Sequence, residues 1–196
     1  MQRKWLVAGV VGALALVAVL ALVVGGVVGR SIVPTPDEPT RPATTRFADT
    51  LTDVAVSYPR TWVRRNPHDQ AVRILASSPD GSAALSVSVR KSGVEEPITQ
   101  ETLPVVRPLT DDLLKADNRI TALTDPVAVT VGGLPGYRYR YTYRMADKTD
   151  GAHVHYYLFK DERLVQLVLQ AVPATQLPAL QPTFDQIADT FEGRRR

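Results

Sequence analysis

Tyrosine and arginine alternate along one short segment, and this pattern can supply a recognition surface. The tyrosines are Tyr137, Tyr139, Tyr141 and Tyr143, and the arginines between and after them are Arg138, Arg140 and Arg144. Successive side chains of a β-strand point to opposite faces, so the two residue types would lie on different faces. Guanidinium groups bind carboxylate and phosphate through a bidentate fork. Two interpretations stay open: a groove for an anionic or sugar-bearing partner, or an aromatic face packed under a helix with solvated arginines.

Two histidines spaced by two residues form the other candidate cluster. His153 and His155 share a face if their strand is regular. A zinc site needs a third and usually a fourth ligand, and only Asp147, Asp150 and His68 are apparent candidates. No spacing commits those residues, so we predict no metal site and an exposed or partly buried histidine pair that faces neighbouring tyrosines. The candidate binding residues are therefore Tyr137, Arg138, Tyr139, Arg140, His153 and His155.

The remaining polar residues do not form a recognised catalytic motif. The chain has no Gly-x-Ser-x-Gly motif and no cysteine, which removes a thiolate nucleophile, a thiolate metal site and a disulfide framework. Glu95-Glu96 falls in a predicted loop and Asp111-Asp112 on a predicted helix surface. We interpret both pairs as solvated charges. The segment Gly132-Gly-Leu-Pro-Gly136 lacks the lysine and the helix of a phosphate loop. We predict a protein without catalytic residues and without a cofactor.

The charge distribution argues against a nucleic-acid partner. The whole chain carries a net charge of +3, but eight of its 23 basic residues lie outside residues 47–193. Within residues 47–193 there are 15 basic and 18 acidic side chains, a net charge of about −3. A folded part without a basic excess is not expected to bind phosphate backbones.

The N-terminal region predicts a membrane anchor. Residues 5–28 contain no charged side chain and follow the basic residues Arg3 and Lys4. As a helix they would be roughly 36 Å long, enough to cross a hydrocarbon core of about 30 Å. A cleaved signal peptide is the alternative, but such peptides have a shorter apolar region and a small-x-small cleavage site. The positive-inside rule then predicts a single-pass protein of the cell membrane, with residues 1–4 cytoplasmic and the C-terminal domain outside.

The rest of the chain divides into a linker, one domain and a short tail. Residues 29–46 include four prolines and little apolar content, which predicts a semi-rigid polyproline II linker. Residues 47–193 predict one extracytoplasmic domain, and residues 194–196 form a basic tail.

Within that domain, alternating strand patterns are separated by two helical ones. Pro104 and Pro108 should break or kink the first half of the helix at 99–117, and Pro182 suits the first turn of a final helix at 182–191. Strands in series with segregated helices favour an α+β domain, with an antiparallel sheet flanked by helices. The predicted strands cover residues 54–58, 71–76, 85–90, 127–131, 137–144, 153–160 and 164–172.

Two elements carry a family resemblance. The Tyr-Pro-x-x-Trp element at Tyr58, Pro59 and Trp62, and the strand that begins Gly136-Tyr137-Arg138, resemble the PsbP-like group. That group includes a photosystem II extrinsic subunit, a Ran-binding nuclear import factor and membrane-anchored or lipidated proteins of actinobacterial envelopes. The resemblance spans roughly residues 47–192 and implies a non-catalytic α-β-α sandwich used for binding. Because this chain has no cysteine for lipidation, its anchor would be the N-terminal helix.

Together these observations predict a membrane-tethered, extracytoplasmic adaptor that engages an envelope protein or complex through a sheet face or a helix–sheet cleft. The alternative is a carrier or sensor of a lipid or another apolar envelope ligand, with an apolar pocket and a mobile lid near Pro104 to Pro108. An envelope hydrolase is a third hypothesis, which rests only on the presence of histidines and carboxylates.

Overall fold

Antiparallel strands dominate the structure, a computed structural model that describes residues 43–193. The strands are β1 (Thr44–Asp49), β2 (Val54–Pro59), β3 (Val63–Arg65), β4 (Val72–Ser77), β5 (Ala83–Lys91), β6 (Ile120–Leu123), β7 (Val127–Val131), β8 (Leu134–Arg144), β9 (Asp150–Lys160), β10 (Arg163–Ala171) and β11 (Glu192–Gly193). An eight-stranded sheet has the order β3-β4-β5-β10-β9-β8-β6. The remaining strand, β7, pairs with the first half of β8, on the same edge that β6 pairs with further along. A three-stranded sheet has the order β1-β2-β11.

Two helices cover opposite faces of the large sheet. Helix α1 (Arg107–Lys115) and the 3-10 turn Leu103–Val106 before it pack on the face that carries the β8 tyrosines. Helix α2 (Leu177–Asp189) and the small sheet pack on the other face, around the buried side chains of Phe184 and Ile187. Each face buries its own apolar cluster, which explains why β9 is almost wholly buried. This arrangement confirms the predicted antiparallel α+β domain with flanking helices.

The proline positions explain where each helix begins. Pro104 lies in the 3-10 turn and Pro108 in the first turn of α1, so the predicted break in the 99–117 segment is confirmed. The placement of Pro182 in a first turn was wrong, because α2 begins at Leu177 and Pro182 lies inside it. The helix extends upstream because Leu177 and Leu180 pack against the core of that face.

The tight β7–β8 hairpin depends on two glycines with positive φ. Gly132 has φ of 58° and Gly133 has φ of 79°, which a two-residue type I′ turn requires at both positions. Gly132 also lies against the backbone of Phe191 and Gly193, where an added Cβ would clash. The hairpin therefore holds β7 close to the end of α2.

The predicted N-terminal anchor, residues 5–28, most of the linker and the basic tail lie outside the described residues. Strand β1 begins at Thr44, slightly before the predicted domain boundary at residue 47. None of the helices within residues 43–193 has the length and apolar content needed to cross a bilayer.

Candidate functional site

Strand β8 separates the candidate binding residues onto two faces. Tyr137 and Tyr139 are buried on the face that α1 covers, whereas Arg138 and Arg140 are half-buried on the face that α2 partly covers. In the β8–β9 register Tyr139 pairs with His155, so the histidines join the tyrosine side. The structure thus brings together four of the six candidate residues on one face and the two arginines on the other.

On the tyrosine face the two histidines form a closed hydrogen-bond network. The Tyr141 hydroxyl lies 2.9 Å from His153 Nδ1 and 3.1 Å from His155 Nδ1. The Nε2 atoms lie 3.1 Å from the Oε1 atoms of Gln170 and Gln166, respectively, and donate to them. Each Nδ1 is then an acceptor, and because Tyr141 has only one hydroxyl proton, it donates to one of the two rings at a time. All four ring nitrogens lie within 3.1 Å of a polar atom of the protein.

Burial fixes both histidines in the neutral form. Both side chains are 2% exposed, so the expectation of an exposed or partly buried pair was wrong. The cause is that β9 lies between two strands of the sheet and under α1. Burial lowers the pKa of His153 to about 4 and the pKa of His155 to about 3. Burial likewise raises the pKa of Tyr141 far above its usual value and that of Tyr143 to about 12. At neutral pH these groups are uncharged and out of reach of a substrate in solvent.

A second hydrogen-bond set attaches α1 to the same face. The Tyr139 hydroxyl donates to Asp111 Oδ1 at 2.6 Å and lies 2.6 Å from Thr110 Oγ1. Burial, together with the bond to Asp111, holds the pKa of Tyr139 well above its usual value. The Tyr137 hydroxyl donates to the Leu103 carbonyl oxygen at 3.3 Å. These tyrosines therefore position a helix, which matches the interpretation of an aromatic face packed under a helix.

The arginine face opens into a cleft between β7, β8 and α2. Its volume is about 420 Å³, within the range of pockets that bind small ligands. The buried Tyr156 of β9, which pairs with Arg138 in the sheet, forms part of its base. Burial raises the pKa of Tyr156, and the neighbouring Arg138 opposes that shift. The cleft is lined by Val129, Thr130, Val131, Gly132, Arg138, Tyr156, Asp185, Ala188 and Asp189.

The arginines of β8 differ in whether a carboxylate neutralises them. Arg144 is exposed and forms an ion pair with Asp150 through a short contact from Nε to Oδ1 at 2.5 Å. Within residues 43–193, neither Arg138 nor Arg140 has a carboxylate oxygen within 4 Å. The buried Nε of Arg140 also has no hydrogen-bond partner there. Half-buried guanidinium groups without a carboxylate partner are suited to binding an anionic group from outside the chain.

The acidic wall and the tyrosine at the base of the cleft were missed by sequence reasoning. Asp185 and Asp189 are four residues apart in the final helical segment, and that spacing places both on one helix face. That spacing was the sequence signal from which the acidic wall could have been predicted. The position of Tyr156 beside Arg138 depends on the β8–β9 register, which cannot be derived from the sequence.

The other candidate chemical groups lie apart from one another. Within the described residues no group of three or more histidine, aspartate or glutamate side chains could hold a metal ion. His68 is exposed, and Asp150 is engaged by Arg144. One Ser-x-x-Lys match, Ser88 to Lys91, lies on β5. Residues three apart on a strand point to opposite faces, so this serine and lysine do not face each other.

Comparison with solved structures identifies the fold. No protein-family model and no curated protein sequence matches the chain. The solution structure of cyanobacterial PsbP (CyanoP) from Synechocystis sp. PCC 6803 is similar with a TM-score of 0.59 and 15% identity, covering 82% of this chain and 98% of that one. The crystal structure of LpqN, involved in cell envelope biogenesis of Mycobacterium tuberculosis, gives a TM-score of 0.53 and 13% identity, with 80% and 86% covered. The domain therefore has a PsbP-like fold, as its motifs indicated.

Proposed function

We propose that this protein is a non-catalytic, membrane-tethered binding module of the cell envelope, which engages an envelope protein or complex through the cleft between β7, β8 and α2. The observation that carries the proposal is the pair of half-buried guanidinium groups, Arg138 and Arg140, that no carboxylate of the described residues neutralises. Arg138 lines the cleft, and Arg140 follows it on the same face of β8. A guanidinium that no carboxylate of its own chain neutralises is available for a partner's carboxylate or phosphate.

The state of the histidines supports binding rather than catalysis. A general acid or base must reach its substrate and have a pKa near the working pH. His153 and His155 are buried, and burial holds the pKa of each well below neutrality. Their contacts to Gln166 and Gln170 suit a structural role within the sheet.

The location rests on two separate arguments. The apolar segment at 5–28, after Arg3 and Lys4, predicts an anchor with the domain on the outer side of the membrane. The fold is also similar to that of a mycobacterial protein involved in cell envelope biogenesis, which agrees with that location. The charged wall of the cleft favours a polar partner over the lipid or apolar ligand of the alternative carrier function.

The test is capture of the partner by the full-length protein in its native membrane. We expect the double variant R138A/R140A to lose crosslinked partners that the unchanged chain retains, because both guanidinium groups that lack a carboxylate partner are removed. The matched control is R144A, which removes an exposed arginine of the same strand that is already paired with Asp150. Capture should persist in the control. Far-UV circular dichroism of each variant reports whether the fold is intact. Unchanged capture by a folded R138A/R140A protein would contradict the proposed site.

A further inference from the structure

The cleft presents opposite charges from opposite walls. Arg138 projects from β8 on one side, and Asp185 and Asp189 lie on α2 on the other. The two aspartates are exposed, whereas the arginine is half-buried. The fold therefore places a fixed positive group and a pair of negative groups around a single volume.

These opposite charges do not neutralise one another across the cleft. No oxygen of Asp185 or Asp189 lies within 4 Å of the Arg138 guanidinium, although all three residues line the same space. Asp185 Oδ1 accepts a hydrogen bond of 2.6 Å from Gln181 on its own helix. Because Arg138 does not contact Asp185 or Asp189, a ligand with two opposite charges can bind between them.

The surfaces between the charged groups are neutral or apolar. Val129 and Val131 pack against the core from β7, and Ala188 is buried on α2. The Tyr156 hydroxyl adds one neutral polar group at the base. A short apolar stem between two charged ends would match this lining.

We propose that the cleft binds a small zwitterion, an amino acid or a short peptide, with its carboxylate at Arg138 and its ammonium group at Asp185 and Asp189. This inference goes beyond the proposed function, because it assigns a small ligand to the cleft in addition to an envelope protein. A purely anionic ligand would satisfy Arg138 but meet two carboxylates on the facing helix. A purely cationic ligand would leave the guanidinium without an anionic partner. A volume of about 420 Å³ suits a ligand of this size.

The probe is the dipeptide L-alanyl-L-alanine, added to the full-length protein in detergent and followed by isothermal titration calorimetry. Two matched probes each remove one charge: N-acetyl-L-alanyl-L-alanine lacks the ammonium group, and L-alanyl-L-alanine amide lacks the carboxylate. We expect the dipeptide to bind with a dissociation constant on the order of 1 mM or below. Each modified probe should bind about tenfold more weakly or worse, because each lacks one charge-assisted interaction.

Variants assign the two ends of the ligand. R138Q should weaken the binding of the dipeptide at least about tenfold but leave the already weak binding of its amide unchanged. The double variant D185N/D189N should show the reverse selectivity, with the acetylated probe unaffected. R144Q is the control and should bind all three probes as the unchanged chain does, because Arg144 does not line the cleft.

The outcomes separate this inference from the proposed function. An acetylated probe that binds as tightly as the dipeptide would overturn the zwitterion site in favour of an anion site. No heat from any probe would also overturn it, while partner capture that still depends on Arg138 and Arg140 would leave the proposed function standing. Dipeptide binding that R138Q and D185N/D189N both leave unchanged would show that the ligand lies elsewhere, and the inference would fail.

Discussion

His153 and His155 are polar groups that the fold tolerates only in their neutral form. Gln166 and Gln170 accept from the two Nε2 atoms, and Tyr141 donates to one Nδ1 at a time, so the neutral rings leave one acceptor unmet. An added proton would place a positive charge in a buried layer. Asp117 favours the charged form of His153, whereas Arg119 disfavours it. The cost of that charge links the stability of the domain to pH.

We predict that acidification destabilises the domain from about pH 6.5 downward. The folded pKa values, about 4 and about 3, lie below the ordinary value of 6.5. Below pH 6.5 the unfolded chain therefore binds protons that the folded chain does not, and stability falls until the folded pKa values are reached. The expected slope is roughly 1 kcal/mol per unit of pH for each histidine.

Urea unfolding followed by far-UV circular dichroism between pH 7.5 and pH 5 measures this slope. That range avoids Asp69, Asp80 and Asp117, whose pKa values are held below 3.8 and which titrate at lower pH. H155Q should reduce the slope, because it removes one of the two buried histidines. A stability that does not change with pH in this range would refute the argument.

Helix α1 is held to the sheet by tyrosines that differ in how well their hydroxyls are satisfied. Tyr139 bonds Thr110 and Asp111 of α1. The Tyr157 hydroxyl is buried without a hydrogen-bond partner among residues 43–193, and its ring stacks on that of His155 at 4.0 Å between centroids. An unsatisfied buried hydroxyl costs stability, whereas a satisfied one contributes.

We therefore predict opposite effects for the same chemical change at two neighbouring positions. Y139F should lower the free energy of unfolding by about 1–2 kcal/mol, because it removes the bonds to α1. Y157F should leave it unchanged or raise it by up to about 1 kcal/mol, because it removes a group without a partner. Urea unfolding of the two variants beside the unchanged chain is the measurement. Equal destabilisation by both changes would show that the assignment of these hydroxyls is wrong.

At the scale of the whole domain, a buried lysine connects the two sheets. Lys160 at the end of β9 is 2% exposed. Its Nζ donates to the Thr52 carbonyl oxygen at 2.6 Å and lies 3.7 Å from Asp53 Oδ2, both in the β1–β2 turn. A charge this deeply buried is tolerated only with such partners.

We predict that K160M lowers the free energy of unfolding by about 2–4 kcal/mol, because it leaves the Asp53 carboxylate and the Thr52 carbonyl without this donor. R163M is the control. Arg163 reaches the Leu51 carbonyl in the same turn, but it is exposed and the contact is 3.4 Å. Its loss should cost less than about 0.5 kcal/mol. Thermal and urea unfolding compare the two variants, and similar losses would mean that Lys160 does not join the sheets in the way described.

What the sequence by itself determined follows from local periodicity. The spacing of two along residues 137–144 placed tyrosines and arginines on opposite faces, and Pro104 and Pro108 marked the broken helix, because strand alternation and proline geometry act over a few residues. Only the tertiary structure decided which face each helix covers and that His153 and His155 are fully buried. It alone brought Tyr156, Asp185 and Arg138 around one cleft. Burial and charge pairing depend on contacts between residues far apart in the chain, and no local pattern encodes those contacts.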